Sequence, residues 1–249
     1  MSEDKPLVYM ILGAAGSGRR TVLLDLIKDG LPPEACPLVL INEGESPDAV
    51  DEQFAVLDRW NWTGSTIEAE ITTEVTHVFL VSDGRGNPVD QLEALKPWVA
   101  QQDAELARII TVVNCQLGEA HSAVLAWYDA CVHFSDVILL NKREGVANKW
   151  VSDFQSRYRD QWLPCLMEFV KAGRVKSASV VLDPIARRLS HYFDEEQDWV
   201  VSGAVDEDEA EGDEEVEVAL EVDPYFERHG EGRRMKEIPD IRKYLPAAE

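Results

Sequence analysis

The stretch from Leu7 to Ile27, LVYMILGAAGSGRRTVLLDLI, constrains this chain more than any other, because an apolar run enters a glycine-rich loop and an amphipathic segment leaves it. Strand, glycine loop and helix in that order make a phosphate-binding loop. In its usual form two glycines separated by four residues precede a lysine and then a serine or threonine; backbone N–H groups wrap the phosphates, the lysine reaches the terminal ones and the hydroxyl holds Mg²⁺. Gly13 and Gly18 hold the glycine positions here, whereas Arg19 and Arg20 stand at the lysine and hydroxyl positions. Gly13, Gly16 and Gly18 permit close backbone approach, and a helix that starts near Gly18 aims its free N–H groups and positive dipole end at an anion. Those contacts need no lysine. Arg19 brings a bulkier, planar cation, and Arg20 cannot ligate a metal; it either places positive charge where Mg²⁺ would neutralise phosphate oxygens or turns to solvent. The candidate phosphate-side residues are Gly13, Ala14, Ala15, Gly16, Ser17, Gly18, Arg19, Arg20 and Thr21.

Further apolar, β-rich runs occur at Pro37–Ile41, His77–Val81, Ile109–Val113 and Val137–Leu140, with a weaker one at Ala178–Leu182. Helical patterns lie between them at Thr21–Lys28, Pro88–Ala100, Ser122–Phe134 and from Lys149 to about Met167, broken near Pro164. This alternation predicts an α/β chain: a P-loop NTPase-like, three-layer fold with a mostly parallel central sheet and ligands at the carboxyl ends of its strands. Asn141-Lys142-Arg143-Glu144 closes one of those runs. It looks like the guanine-reading loop of GTPases, Asn-Lys-x-Asp, in which a carboxylate accepts two hydrogen bonds from guanine N1–H and the 2-amino group. Adenine offers no such donor pair. Glu144 keeps the carboxylate with one more methylene, Lys142 supplies a stem to cover the ring, and Asn141 works near base and loop.

Taken in order, LGAAGSGRRTVLL, VLINEGESPDAVD, VSDGRGNPVDQLEAL, IITVVNCQ and DVILLNKREGV resemble the segments of the CobW-like branch of P-loop GTPases, relatives of HypB and UreG, over about Leu7 to Val146. The resemblance implies GTP or GDP as ligand and places Thr21 near the α-phosphate. It also marks departures. Arg19 and Arg20 replace the lysine and the metal-binding threonine, Val81 replaces a glutamate of the metal and γ-phosphate network, and Asp83, Glu43 and Glu45 are the carboxylates left to be recruited for Mg²⁺. Asn42-Glu43-Gly44-Glu45 resembles the family's segment after the second strand; Asn87 and Asn114 stand where it has aspartates. The family's metal-binding cysteine motif belongs between the second and third strands, and no cysteine lies between Cys36 and Cys115. The sequence therefore assigns no catalytic residue and no metal ligand, and leaves the need for Mg²⁺ open. Three readings stand: a guanine-nucleotide-binding protein with weak or absent hydrolysis, an active GTP hydrolase of the metallochaperone type, and an interaction protein on a P-loop fold that no longer binds nucleotide.

A net charge of -23 over 249 residues disfavours nucleic acid and anionic membrane surfaces as partners. No apolar stretch approaches the roughly 20 residues of a membrane span, and MSEDKP lacks the plan of a signal peptide, so a cytoplasmic location is expected. Cys36, Cys115, Cys131 and Cys165 read as reduced, mostly buried thiols, the five histidines as packing or surface residues, and the seven tryptophans as core or interface anchors. From Asp194 to Asp223 fifteen residues are Asp or Glu and none is Lys or Arg. The expected organisation is a nucleotide-binding domain over 1–192, an acidic disordered segment over 193–224 suited to a basic protein partner, and a basic, aromatic segment over 225–249. On this division a chain ended near Phe193 is expected to melt within a few degrees of the whole.

Overall fold

A computed structural model describes residues 5–72, 74–194 and 222–247. The acidic run expected to be disordered lies almost entirely outside the described residues, as does Trp199. The chain forms β1 (Leu7–Leu12), α1 (Arg19–Gly30), β2 (Pro37–Asn42), β3 (Leu57–Trp62), β4 (Ile67–Glu68), β5 (His77–Val81), α2 (Pro88–Gln101), β6 (Glu105–Asn114), α3 (Cys115–Ala120), α4 (Val124–Phe134), β7 (Val137–Asn141), α5 (Asn148–Arg159), β8 (Leu166–Lys171), β9 (Arg174–Val175) and α6 (Ala178–Leu182), with short 3₁₀ turns at Asp51–Gln53 and Ile241–Tyr244.

The strands make one sheet in the order β4-β3-β2-β5-β1-β6-β7-β8-β9. Pairing is parallel throughout except at its two ends, β3 with β4 and β8 with β9. Strands covered on both faces read as unbroken apolar runs, which is why β1, β2, β5 and β7 stand out in the sequence. One face carries α2, α3, α4 and α5 over Met10, Leu80, Trp127 and Phe154; the other carries α1 and α6 over Ile11, Phe79, Leu23 and Val181. The result is a three-layer α/β fold of the P-loop NTPase type. Among the described residues no helix is long and apolar enough to cross a membrane.

Two elements differ from the sequence expectation. Ala178–Leu182 is a helix, not a strand. A five-residue apolar run fits either period, and here Ala178, Val181 and Leu182 share one buried helical face that packs on α1, with the Ala178 backbone close against Gly30. Buried Arg108 donates to Val180 O at 2.7 Å and Val181 O at 3.0 Å, satisfying carbonyls at that helix's end. The helix expected to run to Met167 stops at Arg159, and Leu166–Lys171 instead pairs with β7. Trp162 takes a left-handed φ of 56° just before Pro164, which ends helical geometry, and its ring is 88% exposed, unlike core Trp60 and Trp127.

The basic end of the chain lies on the helical layer. Tyr225, Phe226 and Ile241 are buried against the core that includes Phe134. Arg234 bonds Asp90 and Glu93 on α2, each at 2.6 Å, and Arg228 bonds Glu93 at 2.6 Å. Asp223 accepts from Ser190 Oγ at 2.5 Å and pairs with His133 Nε2 at 2.8 Å.

Candidate functional site

β1 lies between β5 and β6, so the loops leaving the carboxyl ends of β1, β2, β5, β6 and β7 meet on one rim. The glycine loop is built as the sequence implies at two positions. Gly13 has φ 145°, and a Cβ there would stand 2.5 Å from Val112 O; Gly18 has φ 84°, and a Cβ there would stand 2.7 Å from Asn141 Nδ2. Asn141 is itself buried, and its amide donates to Ser17 O at 2.8 Å, tying the two loops together. Lys142 is exposed with φ 52°, and its Cε lies 3.7 Å from the same point beside Gly18, so the lysine stem flanks the glycine loop. Glu144 is exposed on this rim, its backbone carbonyl held by Gln116 Nε2 at 2.7 Å. Thr21 is exposed one turn into α1, with Cγ2 against Gly173 of the β8–β9 turn.

The phosphate side departs from an open cradle. Arg19 and Arg20 are 4% and 8% exposed, and both turn inward to the loops after β2 and β5. Arg19 donates to Ser82 O through Nη1 and to Glu45 Oε1 through Nη2. Arg20 donates to Glu45 Oε2 at 2.8 Å, to Ser46 O at 2.9 Å and to both Asp51 oxygens at 2.9 and 3.1 Å. Arg59 stands 3.6 Å from Asp51. Arg20 does not turn to solvent; its charge is taken up by Glu45 and Asp51. Burial alone pushes the Glu45 carboxyl up, but the Arg19 charge and the hydrogen bonds from both arginines outweigh it and hold it below its ordinary value. The loop's own backbone is engaged as well: Ala15 N–H donates to Gly84 O at 2.9 Å, and Ser17 N–H to Ala14 O at 3.0 Å. Ser17 Oγ is fully buried without a hydrogen-bond partner.

These residues do not fit Mg²⁺. Two guanidinium groups occupy the place of lysine and metal ligand, and cations repel a divalent ion. Of the carboxylates left for recruitment, Glu45 is spent on both arginines, Asp83 Oδ1 accepts from Arg85 N–H at 2.9 Å, and Glu43 is exposed. Asn87 and Asn114 serve as helix caps, accepting from Val89 N–H and Leu117 N–H. No group of three or more His, Cys, Asp or Glu among the described residues is placed to hold a metal ion. The Cys115 thiol, pushed up to about 12 by burial, is not a thiolate near neutral pH. Sequence reasoning found Arg19, Arg20 and Glu45 but missed Asp51, Ser82 and Gly84 as their partners. The signal was two adjacent arginines with DAVDE downstream, an excess of carboxylate in reach of an excess of cation.

No protein-family model matches the chain, and no curated protein matches it. Among solved structures it is similar to a Zn(II)-bound triple mutant of the YjiA GTPase, at 15% identity and a TM-score of 0.43, covering 72% of this chain and 61% of that one. It is also similar to the Zn(II)-bound YjiA GTPase from E. coli, at 13% identity and a TM-score of 0.40, covering 74% of this chain and 67% of that one. The chain thus spans between three fifths and two thirds of the length of those proteins.

Proposed function

We propose that this chain is a CobW-like P-loop protein that takes a guanine nucleotide and acts through binding, with hydrolysis weak or absent. The observation that carries the reading is the buried pairing of Arg19 and Arg20 with Glu45 and Asp51, which puts fixed positive charge where a nucleotide hydrolase keeps its metal. Phosphoryl transfer depends on a cationic clamp and Mg²⁺ at the developing charge, and here the side chains at the clamp and metal-ligand positions are arginines committed to Glu45 and Asp51. The base side supports guanine: Asn141 braces the glycine loop, the Lys142 stem lies beside it, and the Glu144 carboxylate is left to accept from N1–H and the 2-amino group. A second reading, an interaction protein that no longer takes nucleotide, is favoured by one specific contact, the Ala15 N–H already engaged by Gly84 O. On either reading the acidic segment is the surface offered to a basic protein partner.

Calorimetric titration of the full chain with GTP, GDP and ATP, with and without Mg²⁺, separates these. Guanine nucleotides should bind more tightly than ATP with little response to Mg²⁺, and Glu144→Ala should remove most of the preference. A bidentate carboxylate contact to a base edge is worth about 1–3 kcal/mol. Equal affinity for GTP and ATP ends the guanine assignment, and no binding of any nucleotide selects the interaction protein. Turnover of GTP at about 1 per second or faster would instead establish a hydrolase.

A further inference from the structure

The two arginines end on one carboxylate. Glu45 Oε1 takes Arg19 Nη2 and a weak 3.4 Å contact from Gly84 N–H, while Oε2 takes Arg20 Nη2 at 2.8 Å. Two guanidinium forks and a backbone amide converging on a pair of anionic oxygens is the donor set that recognises a phosphoryl group. Three further features lie around it. Ser17 Oγ, buried and unpartnered, sits inside the same loop: the point where a Cβ on Gly13 would stand is 2.9 Å from this oxygen and 3.2 Å from Arg19 Cδ. Arg59 also stands against Asp51, so when Glu45 leaves, three cations share the Asp51 carboxylate. Glu45, its side chain 13% exposed, is carried on a turn whose neighbours Glu43, Gly44 and Ser46 are all exposed, so the turn that would carry its carboxylate out lies at the surface.

We propose that Glu45 is an internal stand-in for phosphate, and that Arg19 and Arg20 with Ser17 form a metal-independent site for a phosphate or diphosphate group that opens when the Glu45 carboxylate leaves. The inference rests on the nucleotide reading for its natural ligand, a nucleoside diphosphate or triphosphate, but the site itself needs only the oxyanion. Arg20 takes over the charge neutralisation that Mg²⁺ gives elsewhere. Glu45 then sets affinity: a ligand binds only from the fraction of molecules in which the carboxylate has swung out.

The test is titration of the full chain with inorganic pyrophosphate in EDTA, beside the Glu45→Gln variant. If the carboxylate holds the site about nine-tenths of the time, its neutralisation should tighten pyrophosphate binding about tenfold, with no further gain from Mg²⁺. Adding Arg20→Ala to Glu45→Gln should abolish the gain. No gain, a gain only with Mg²⁺, or a gain that survives loss of Arg20 overturns the proposal. GDP run in parallel distinguishes the ligand's source: tighter binding of both GDP and pyrophosphate places the gain at the oxyanion. A pyrophosphate gain without preference for GTP over ATP sinks the guanine reading alone, and that preference without the gain sinks this inference alone. Should Glu45→Gln fail to fold, the unmodified chain carries the test. Millimolar pyrophosphate in EDTA should raise its melting temperature, Arg19→Ala should cancel the rise, and no rise overturns the proposal.

Discussion

At the scale of single residues, the rim is held by side chains and glycines that leave little room. Arginine suits the positions after Gly18 because a planar fork reaches two acceptors at once; Arg19 spans from Ser82 O to Glu45, and Arg20 from Glu45 to Asp51. A lysine at either place supplies one point charge and leaves an acceptor unfilled. Gly84 is the counterpart on the other side. Its carbonyl holds Ala15 N–H, and a Cβ at Gly84 would collide with the Ala15 nitrogen, which is backbone, and with the Arg19 guanidinium. Neither can yield without breaking the contact between the two loops. Gly84→Ala should therefore destabilise the protein by about 1–3 kcal/mol, the usual penalty of overpacking, read as a lower midpoint in urea. Gly230→Ala is the comparison, since no atom lies within reach of a Cβ there and its φ is not in the left-handed region. A Gly84→Ala midpoint no lower than that of the comparison would mean that the two loops are not in fixed contact.

At the scale of elements, the segment after Asp223 is held to α2 and α4 by charge at one point and by aromatic packing at another. Tyr225 packs against the His133 ring at 4.8 Å between centroids, and Phe226 against Phe134 at 5.1 Å. Asp223 anchors the start of this strap. Burial alone pushes its carboxyl up, but hydrogen bonds from His133, Ser190 and the Tyr225 N–H hold it below the ordinary carboxylate value. A carboxyl depressed in the folded state contributes stability above its unfolded pKa, near 3.9, and loses it as pH falls through the native value. Asp223→Asn should thus melt lower than the unmodified chain at pH 7, by an amount set by charge-assisted hydrogen bonds worth about 1.5–3 kcal/mol. The gap should close as pH falls below about 4, and a gap that is constant from pH 7 to pH 3 would remove the ionised carboxylate from the anchor. What the sequence revealed and concealed follows the same division. β1, β2, β5 and β7 were legible because both faces are covered, whereas β3, LDRWNW, and β8, LMEFVK, lie toward the sheet ends, carry charges and show no apolar run. The glycine loop and the Asn141 loop were legible as local patterns. Their fastening was not, because Arg19 meets Ser82 across 63 positions of chain and Arg20 meets Asp51 across 31.

At the scale of the whole molecule, the strap lies along α4, from the carboxyl end of that helix to the turn ahead of it. It begins at Asp223 beside His133, at the end of α4, and finishes at the Ile241–Tyr244 turn, where the Tyr244 ring packs at a tilt against His121 ahead of that helix, 5.3 Å between ring centroids. A division of the chain at residue 192 would make this stretch an appendage, but the packing sets a different expectation for a protein ended near Phe193. Removal uncovers Phe134 and Tyr192, which pack on Phe226, and takes Arg234 from Asp90 and Glu93. Arg234 is buried, but its partners Asp90 and Glu93 are 40% and 37% exposed, and pairs open to water on one side contribute little. Buried aromatic and aliphatic side chains matter more: Tyr225, Phe226 and Ile241 are each worth about 1.5–3 kcal/mol of burial, partly cancelled by the entropy of ordering the strap. If the net is close to a single such side chain, about 2 kcal/mol, the truncated protein should melt about 4–8 °C below the full chain. It should keep its helical circular dichroism, since the strap contributes only one short 3₁₀ turn among the described residues. Melting within about 2 °C of the full chain would show that the strap rests on the layer without stabilising it.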